Sequence, residues 1–297
     1  MSRTLQTALL TGLVATGFAG GCSNAKTPTN SPTPKAETVR PLNPNEFKLV
    51  VTYYDVNKEE SITSTLIFRE DRVFQFIGVS PEFIVIDLND GKTHLADVKK
   101  AASCEIKAEQ IETSYNKKIQ DRREEAEKTA KQDKPGDHKN AKIEINLLDP
   151  QFTAQDEPSA SGRFRLKSPA VDVSFTGEAA PGRLDVVHQI LTLLIKLRSN
   201  RFDDAIPPQA HLFVLKQLKE KHKLRPTELV FLFRLTNTPE KYRWTYELFP
   251  TLTSREWEAT RRIDNLLQTT RSVPFARFER IIAYGKLDEG VRKPTQD

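Results

Sequence analysis

The chain has 297 residues, 37% hydrophobic and 29% charged, with 45 Lys plus Arg against 40 Asp plus Glu. That apolar share excludes a wholly disordered chain. With 12 Gly and 18 Pro collagen is excluded, two Cys exclude a disulfide framework, and a net charge of +5 is too slight to point to nucleic acid.

Arg3 is followed by the apolar run 8–19 (ALLTGLVATGFA) and then by Gly20, Gly21 and Cys22. A short positive start, an apolar run and small residues before a cleavage point predict an export signal. The run is too short, and too interrupted by Thr and Gly, to span a bilayer. The segment Ala19-Gly20-Gly21-Cys22 resembles a bacterial lipobox. That resemblance implies cleavage before Cys22, lipid attachment at Cys22, and a membrane as the partner of the anchor. Ser23 does not provide the Asp-type inner-membrane retention signal, so the outer membrane is favoured; a plain secretory signal is the alternative. Residues 23–45 are polar and proline-rich, the composition of an extended stalk that cannot bury a core. The organisation expected is thus a signal peptide over 1–21 and a lipidated stalk over 22–45.

The body starts with strands. In Glu46–Val56, Phe47, Leu49, Val51 and Tyr53 share one face, the period of two that marks a strand. Ile62–Phe68, Val73–Ile77 and Phe83–Leu88 follow, then Thr93–Val98 and Ala101–Ile106. The intervening turns are short and polar, Asn89-Asp90-Gly91 being the clearest, so the neighbours should be antiparallel. The period then lengthens: Cys104, Ala108, Ile111, Tyr115, Ile119 and Ala126 predict a helix from about Ala108 to Lys131. Its charged far half reads as a solvated face, with a partner-binding or coiled-coil segment as the alternative. Pro135-Gly136 predicts a loop over 132–140.

Alternation returns at Ile143, Ile145 and Leu147, at Phe164 and Leu166, and at Val171, Val173 and Phe175, each predicting a half-buried strand. Leu184, Val187, Ile190, Leu191, Leu194, Ile195 and Leu197 make a helix apolar over most of its girth, the expected centre of the core. Pro207-Pro208 opens another, with Leu212, Leu215 and Leu218 inward. Leu229–Leu235 and Tyr242–Phe249 form a strand pair. Thr253 and Glu256 make a capping box for a helix carrying Ile263, Leu266 and Leu267. Phe275–Ala283 is a last short helix. The fold class is α+β: antiparallel β-meander sheets against several helices, with a curved half-barrel as one form. Residues 46–131 and 141–285 make one domain or two, and 286–297 a polar tail.

Motifs for chemistry are scarce. The five histidines, His94, His138, His188, His211 and His222, lack the spacing that puts two on one helix face for zinc. There is no Cys-x-x-Cys, no nucleophile elbow and no glycine-rich phosphate cradle. No catalytic, cofactor or metal residue is nominated; the one site residue is Cys22. Ser114-Tyr115-Asn116-Lys117 matches a Ser-x-x-Lys nucleophile pattern without its companion motifs. Asp87–Gly91 suits a hairpin turn better than a calcium loop. His188 reads as a core histidine holding one hydrogen bond, and Cys104 as a small buried apolar residue. Asp203-Asp204 suit the start of a helix, and Arg261-Arg262 a solvated face.

The run Asp71–Glu112, with Phe164–Ser174 and the segments around Ile206-Pro207-Pro208 and Arg225-Pro226-Thr227-Glu228, resembles a group of uncharacterised exported proteins from planctomycete-type bacteria. The resemblance implies export and brings no activity with it. The successive strands are also similar to those of periplasmic lipoprotein carriers, whose curved sheet wraps an apolar cavity; that is analogy of fold alone. The function expected is a membrane-anchored envelope lipoprotein that binds a partner protein or supports the envelope. The alternative is a carrier of a lipid or other apolar ligand, which a continuous apolar cavity would favour.

Overall fold

A computed structural model of the chain describes residues 45–284, other than 79, 132–134, 156–161, 181, 202–206 and 235–238. The expected signal, Cys22, the stalk, Asp203-Asp204 and the polar tail lie outside the described residues.

Six strands run consecutively as a meander: β1 (Phe47–Asp55), β2 (Glu60–Arg69), β3 (Arg72–Ile77), β4 (Glu82–Asp87), β5 (Lys92–Asp97) and β6 (Ala102–Lys107). Each pairs antiparallel with the next. Two helices follow, α1 (Ala108–Ala130) and α2 (Pro135–Leu148). A second meander comprises β7 (Thr153–Gln155), β8 (Phe164–Lys167) and β9 (Val171–Glu178), then β10 (Arg225–Phe233) and β11 (Glu240–Phe249). Between β9 and β10 lie α3 (Leu184–Arg201) and α4 (Gln209–Gln217), the latter continued by a π-helical turn over Leu218–His222. The chain ends with α5 (Ser254–Thr269), the two-residue β12 (Arg271–Ser272) and α6 (Phe275–Tyr284).

All twelve strands belong to one sheet, ordered β12-β6-β5-β4-β3-β2-β1-β11-β10-β9-β8-β7. The two meanders meet where β1 pairs antiparallel with β11, from Lys48 opposite Phe249 to Asp55 opposite Tyr242. Only β12 is parallel to its neighbour, β6. The sheet is open, with β12 and β7 at its edges.

Alternation sorts the strand residues onto two faces. Leu49, Leu66, Val73, Ile84, Leu95 and Cys104 of the first meander, and Val173, Phe231 and Tyr246 of the second, point to one core. This inner face is covered by helices: Ile111 of α1, Val187, Ile190 and Leu197 of α3, Val214 and Leu215 of α4, and Phe278 of α6 are all buried in it. The two halves, 46–131 and 141–285, thus share a core. On the opposite face a smaller cluster, Ile67, Phe74, Phe83, Val85 and Ala96, packs against Leu252 and Ile263, with Trp257 and Leu266 of α5 beside it. α5 opens with the expected capping box, Thr253 Oγ1 accepting from the Glu256 amide while Glu256 accepts from the Thr253 amide.

Three expectations are corrected. Residues 135–140 are helical, not loop, and the alternating Ile143–Leu147 is the end of α2, not a strand. Ala141, Leu147 and Leu148 are its buried residues, at a helical spacing that reaches the core. Arg122 of α1 binds Glu144 of α2 at 2.5 Å, so the charged half of α1 finds its partner within the chain. Leu212, expected inward, is half-buried on the outer side of α4.

Buried charge fastens the helices to the sheet. Arg201, at the end of α3, has its side chain 4% exposed; it donates to Glu82 at 2.5 and 2.7 Å and to Glu279 of α6 at 2.9 Å. Arg69 binds Thr260 at 2.9 Å and Asp264 at 2.5 Å, holding α5 on the sheet. Removing a buried arginine strands its acids, which costs about 3–5 kcal/mol. Arg201→Ala should therefore lower the unfolding free energy by about 3 kcal/mol in urea melts monitored by circular dichroism, with no change in slope.

Candidate functional site

Most residues singled out in the sequence prove to be pieces of scaffold. Ser114 and Lys117 are both exposed on α1. Asp87 caps the β4–β5 turn, its Oδ1 accepting from the amides of Asn89 at 3.0 Å and Asp90 at 3.3 Å, and Gly91 has φ +66°. Arg262 pairs with Glu258 at 2.8 Å, and Arg261 lies over the Trp257 ring. His94 stands 4.0 Å from Glu105 on the first meander. His222 packs its ring 4.0 Å from that of Phe164. The side chain of His138 lies outside the described residues.

His188 is buried in α3, and its Nε2 donates to the Leu224 carbonyl at 2.9 Å. That bond sets the neutral tautomer with the proton on Nε2. Burial lowers its basicity, outweighing the bond to Leu224. Cys104 is buried on β6, and its thiol is pushed up to about 12, by burial first and by Glu279 second. A thiol held that high does not form the nucleophilic thiolate.

One pair was missed in the sequence. His211, near the start of α4, sits 2.7 Å by its Nε2 from the Tyr246 hydroxyl of β11. Its ring is 5.1 Å from Trp244 and 5.6 Å from Phe231. Burial, with Arg198 adding repulsion, brings the imidazole down to about 3, and burial raises the Tyr246 phenol. Two neutral groups thus share one hydrogen bond within an aromatic cluster. A signal was present: His211 falls on the stripe of Leu215 and Leu218, at i, i+4 and i+7. Arg225 closes the same end of the second meander. It is buried, donates to the Tyr246 carbonyl at 3.3 Å and pairs with Glu178.

These groups pack within the inner face. The rings of Phe231, Phe233, Tyr242 and Trp244 contact one another there, with Tyr53 stacked on Tyr242 at 5.9 Å. The opposite face of the second meander differs. Among the described residues no helix packs on the outer side of β8–β9–β10–β11, whose residues are half-buried or exposed, and α5 reaches the outer side of β1 through the Lys48–Glu256 pair at 2.5 Å. Glu228 sits in its middle between Arg163 and Arg243, the latter at 2.6 Å, and Arg243 lies over the Tyr54 ring. Arg234 pairs with Asp172. Arg165, Lys167 and Lys241 are exposed on this face and enter no ion pair among the described residues. Threonines fill the gaps, Thr176 and Thr227 being 2.7 Å apart and Thr52 and Thr63 3.4 Å apart. The result is an open, cation-rich sheet face. Among the described residues no group of His, Cys, Asp and Glu could hold a metal ion.

No family model matches the chain, and a search of curated proteins finds no match.

Two measurements check the buried groups. In the Cys22→Ser chain, Cys104 should resist alkylation at pH 8 under native conditions and react fully in denaturant. For His211 the folded value lies below the unfolded value of about 6.5. The unfolded chain therefore binds the extra proton, and stability is lost as pH falls from about 6.5 towards 3. The loss is up to about 1.4 kcal/mol per pH unit. The His211→Gln variant should show a shallower decline between pH 6 and pH 4 in urea midpoints.

Proposed function

We propose that this chain is an exported lipoprotein, tethered to the cell envelope through Cys22 and held off the outer membrane by the stalk of 23–45. Its body binds a partner protein and performs no catalysis. The observation that carries the binding reading is the contrast between the two faces of the second meander. The inner face is filled by rings and helices, while the outer one is open and rich in unpaired cations. An antiparallel sheet with one wet face is stable without a cover, so the open face is available for docking. Its unpaired Arg165, Lys167 and Lys241 suit an acidic partner, by charge complementarity that steers association. A carrier of an apolar ligand needs room on the inner face, where Trp244, Phe231 and Tyr242 instead contact one another.

The anchor and the docking face are tested separately. Cys22→Ser should move the protein from the membrane pellet to the soluble fraction; a variant that stays in the pellet refutes the lipid anchor. A fluorescent polyglutamate peptide should bind the purified protein at low salt and release as salt rises. The Arg165→Glu, Lys167→Glu double variant should weaken that binding about tenfold with an unchanged circular dichroism spectrum. Equal binding by the two proteins refutes the face.

A further inference from the structure

On the outer face of the second meander the register sets four cations in two pairs. Arg165 of β8 stands opposite Ser174 of β9, Ser174 opposite Val230 of β10, and Val230 opposite Arg243 of β11. One row along, Lys167, Asp172, Leu232 and Lys241 stand opposite one another in the same order. Strands lie about 4.8 Å apart and rise about 3.4 Å per residue, so the cations of each pair are about 7 Å apart along their strand, and three strand spacings, about 14 Å, separate the pairs. The floor between them is made of half-buried side chains shorter than the cations on either side.

The acids on that floor are already engaged. Asp172 pairs with Arg234, and Glu228, one row further, with Arg163 and Arg243. Arg165, Lys167 and Lys241 are exposed and enter no ion pair among the described residues. Along β11 the outward residues turn from Lys241 and Arg243 to Thr245 and then to the exposed Glu247, which ends the cationic stretch. Sheet twist of about 20–25° per strand splays the two pairs. Each pair spans only two residues, so its long side chains absorb the splay.

An extended peptide sends successive side chains to opposite sides, every second one about 7 Å further on. An acidic segment stretched over β9 and β10, along the strands, therefore offers alternate carboxylates to Arg165 and Lys167 and the intervening ones to Lys241 and Arg243. A polymer with its charges on the backbone carries them in one line and meets one pair at a time. A helix, about 10–12 Å across with its side chains, fills the gap before its acids can serve both sides.

We propose that the open face takes an extended run of consecutive acidic residues, laid along the trough between β8 and β11. The inference rests on the docking-face reading and names its ligand: a strand-like acidic tract of a partner protein, in place of a folded acidic surface.

Exposed ion pairs are individually weak, so the test traps the contact. The probe is a peptide, blocked at both ends, with four consecutive glutamates between serines. The control alternates the same four glutamates with serines. Carbodiimide coupling joins a carboxylate to a lysine amine in contact with it. On the purified protein, followed by mass-spectrometric mapping, it should yield a product in which one probe is joined to both Lys167 and Lys241, through glutamates adjacent or three apart. The alternating control should give at least tenfold less of the doubly joined product, because all its acids point to one side. Lys241→Gln should abolish double joining and keep the link to Lys167. Equal double joining by the two peptides, or joining through glutamates two apart in the probe, overturns the extended geometry and leaves the docking face standing. Absence of coupling to either lysine takes down the face and the inference together. A dimer coupled through Lys167 or Lys241 without added peptide makes a second copy the occupant and overturns the inference.

Discussion

The pairing of β1 with β11 is the contact on which the rest of the structure depends. It joins residues some two hundred positions apart, over the full run from Lys48–Phe249 to Asp55–Tyr242. Without it the molecule would be two meanders, each with a long open edge that invites aggregation. With it, the inner face is continuous from Cys104 to Phe164, and one set of helices can cover it. Closing so long a loop costs entropy before any contact rewards it. The interface that offsets this cost is accordingly rich in large side chains: Tyr53 meets Trp244 at 5.0 Å and stacks on Tyr242 at 5.9 Å.

That joint also explains why the helices attach as they do. α3 crosses the inner face beneath the joint. Its leading Arg183 lies over the Phe47 ring, and its terminal Arg201 grips Glu82 and Glu279. Helix ends carry unsatisfied carbonyls, and lysines from neighbouring elements answer them. Lys118 of α1 donates to the Ser199 carbonyl at 2.7 Å, and Lys100 to the Ile281 and Ile282 carbonyls at 2.8 and 2.6 Å. Each bond adds a cation at the negative pole of a helix. Where β10 and the π-helical turn crowd β9, the sequence has glycine: a Cβ on Gly177 would stand 2.6 Å from the Arg225 carbonyl and 2.9 Å from Leu218.

Much of this was legible in the residues. The first meander announces itself because β1 alternates and short polar turns separate the apolar runs that follow, and α3 and α5 because their stripes are long and, for α5, capped. What misled was brevity. Three apolar residues at alternate positions, Ile143, Ile145 and Leu147, satisfy a strand period over a span too short to exclude a helix. Tertiary context decided it, since α1 buries Tyr115 and Ala126 and binds Glu144 through Arg122. The sheet order was not legible, because no local signal says that β11 should sit beside β1. The two-residue β12 and the three-residue β7 escaped for the same reason. The His211–Tyr246 bond joins segments that only the folded chain brings together.

The two faces of the second meander then differ in kind because of what reaches them. α4 is led onto the inner face through Pro207 and Pro208 and carries His211 into the ring cluster, so polar groups there must be neutralised or paired. His211 is held neutral, and Arg225 is bonded to two carbonyls and Glu178. α5 covers the outer face only over the first meander, where Phe74, Phe83 and Val85 give it an apolar bed. At the joint that bed gives way to Thr52, Tyr54 and Thr245, and the Lys48–Glu256 pair at 2.5 Å marks the border. Beyond it the strands present threonine, arginine and lysine with Asp172, Glu228 and Glu247 around Val230 and Leu232, and an apolar helix face could not cover those charges without stranding them. The open face follows from the same alternation that builds the core: every strand that commits one side to rings and aliphatic groups must show its other side to water or to a polar partner.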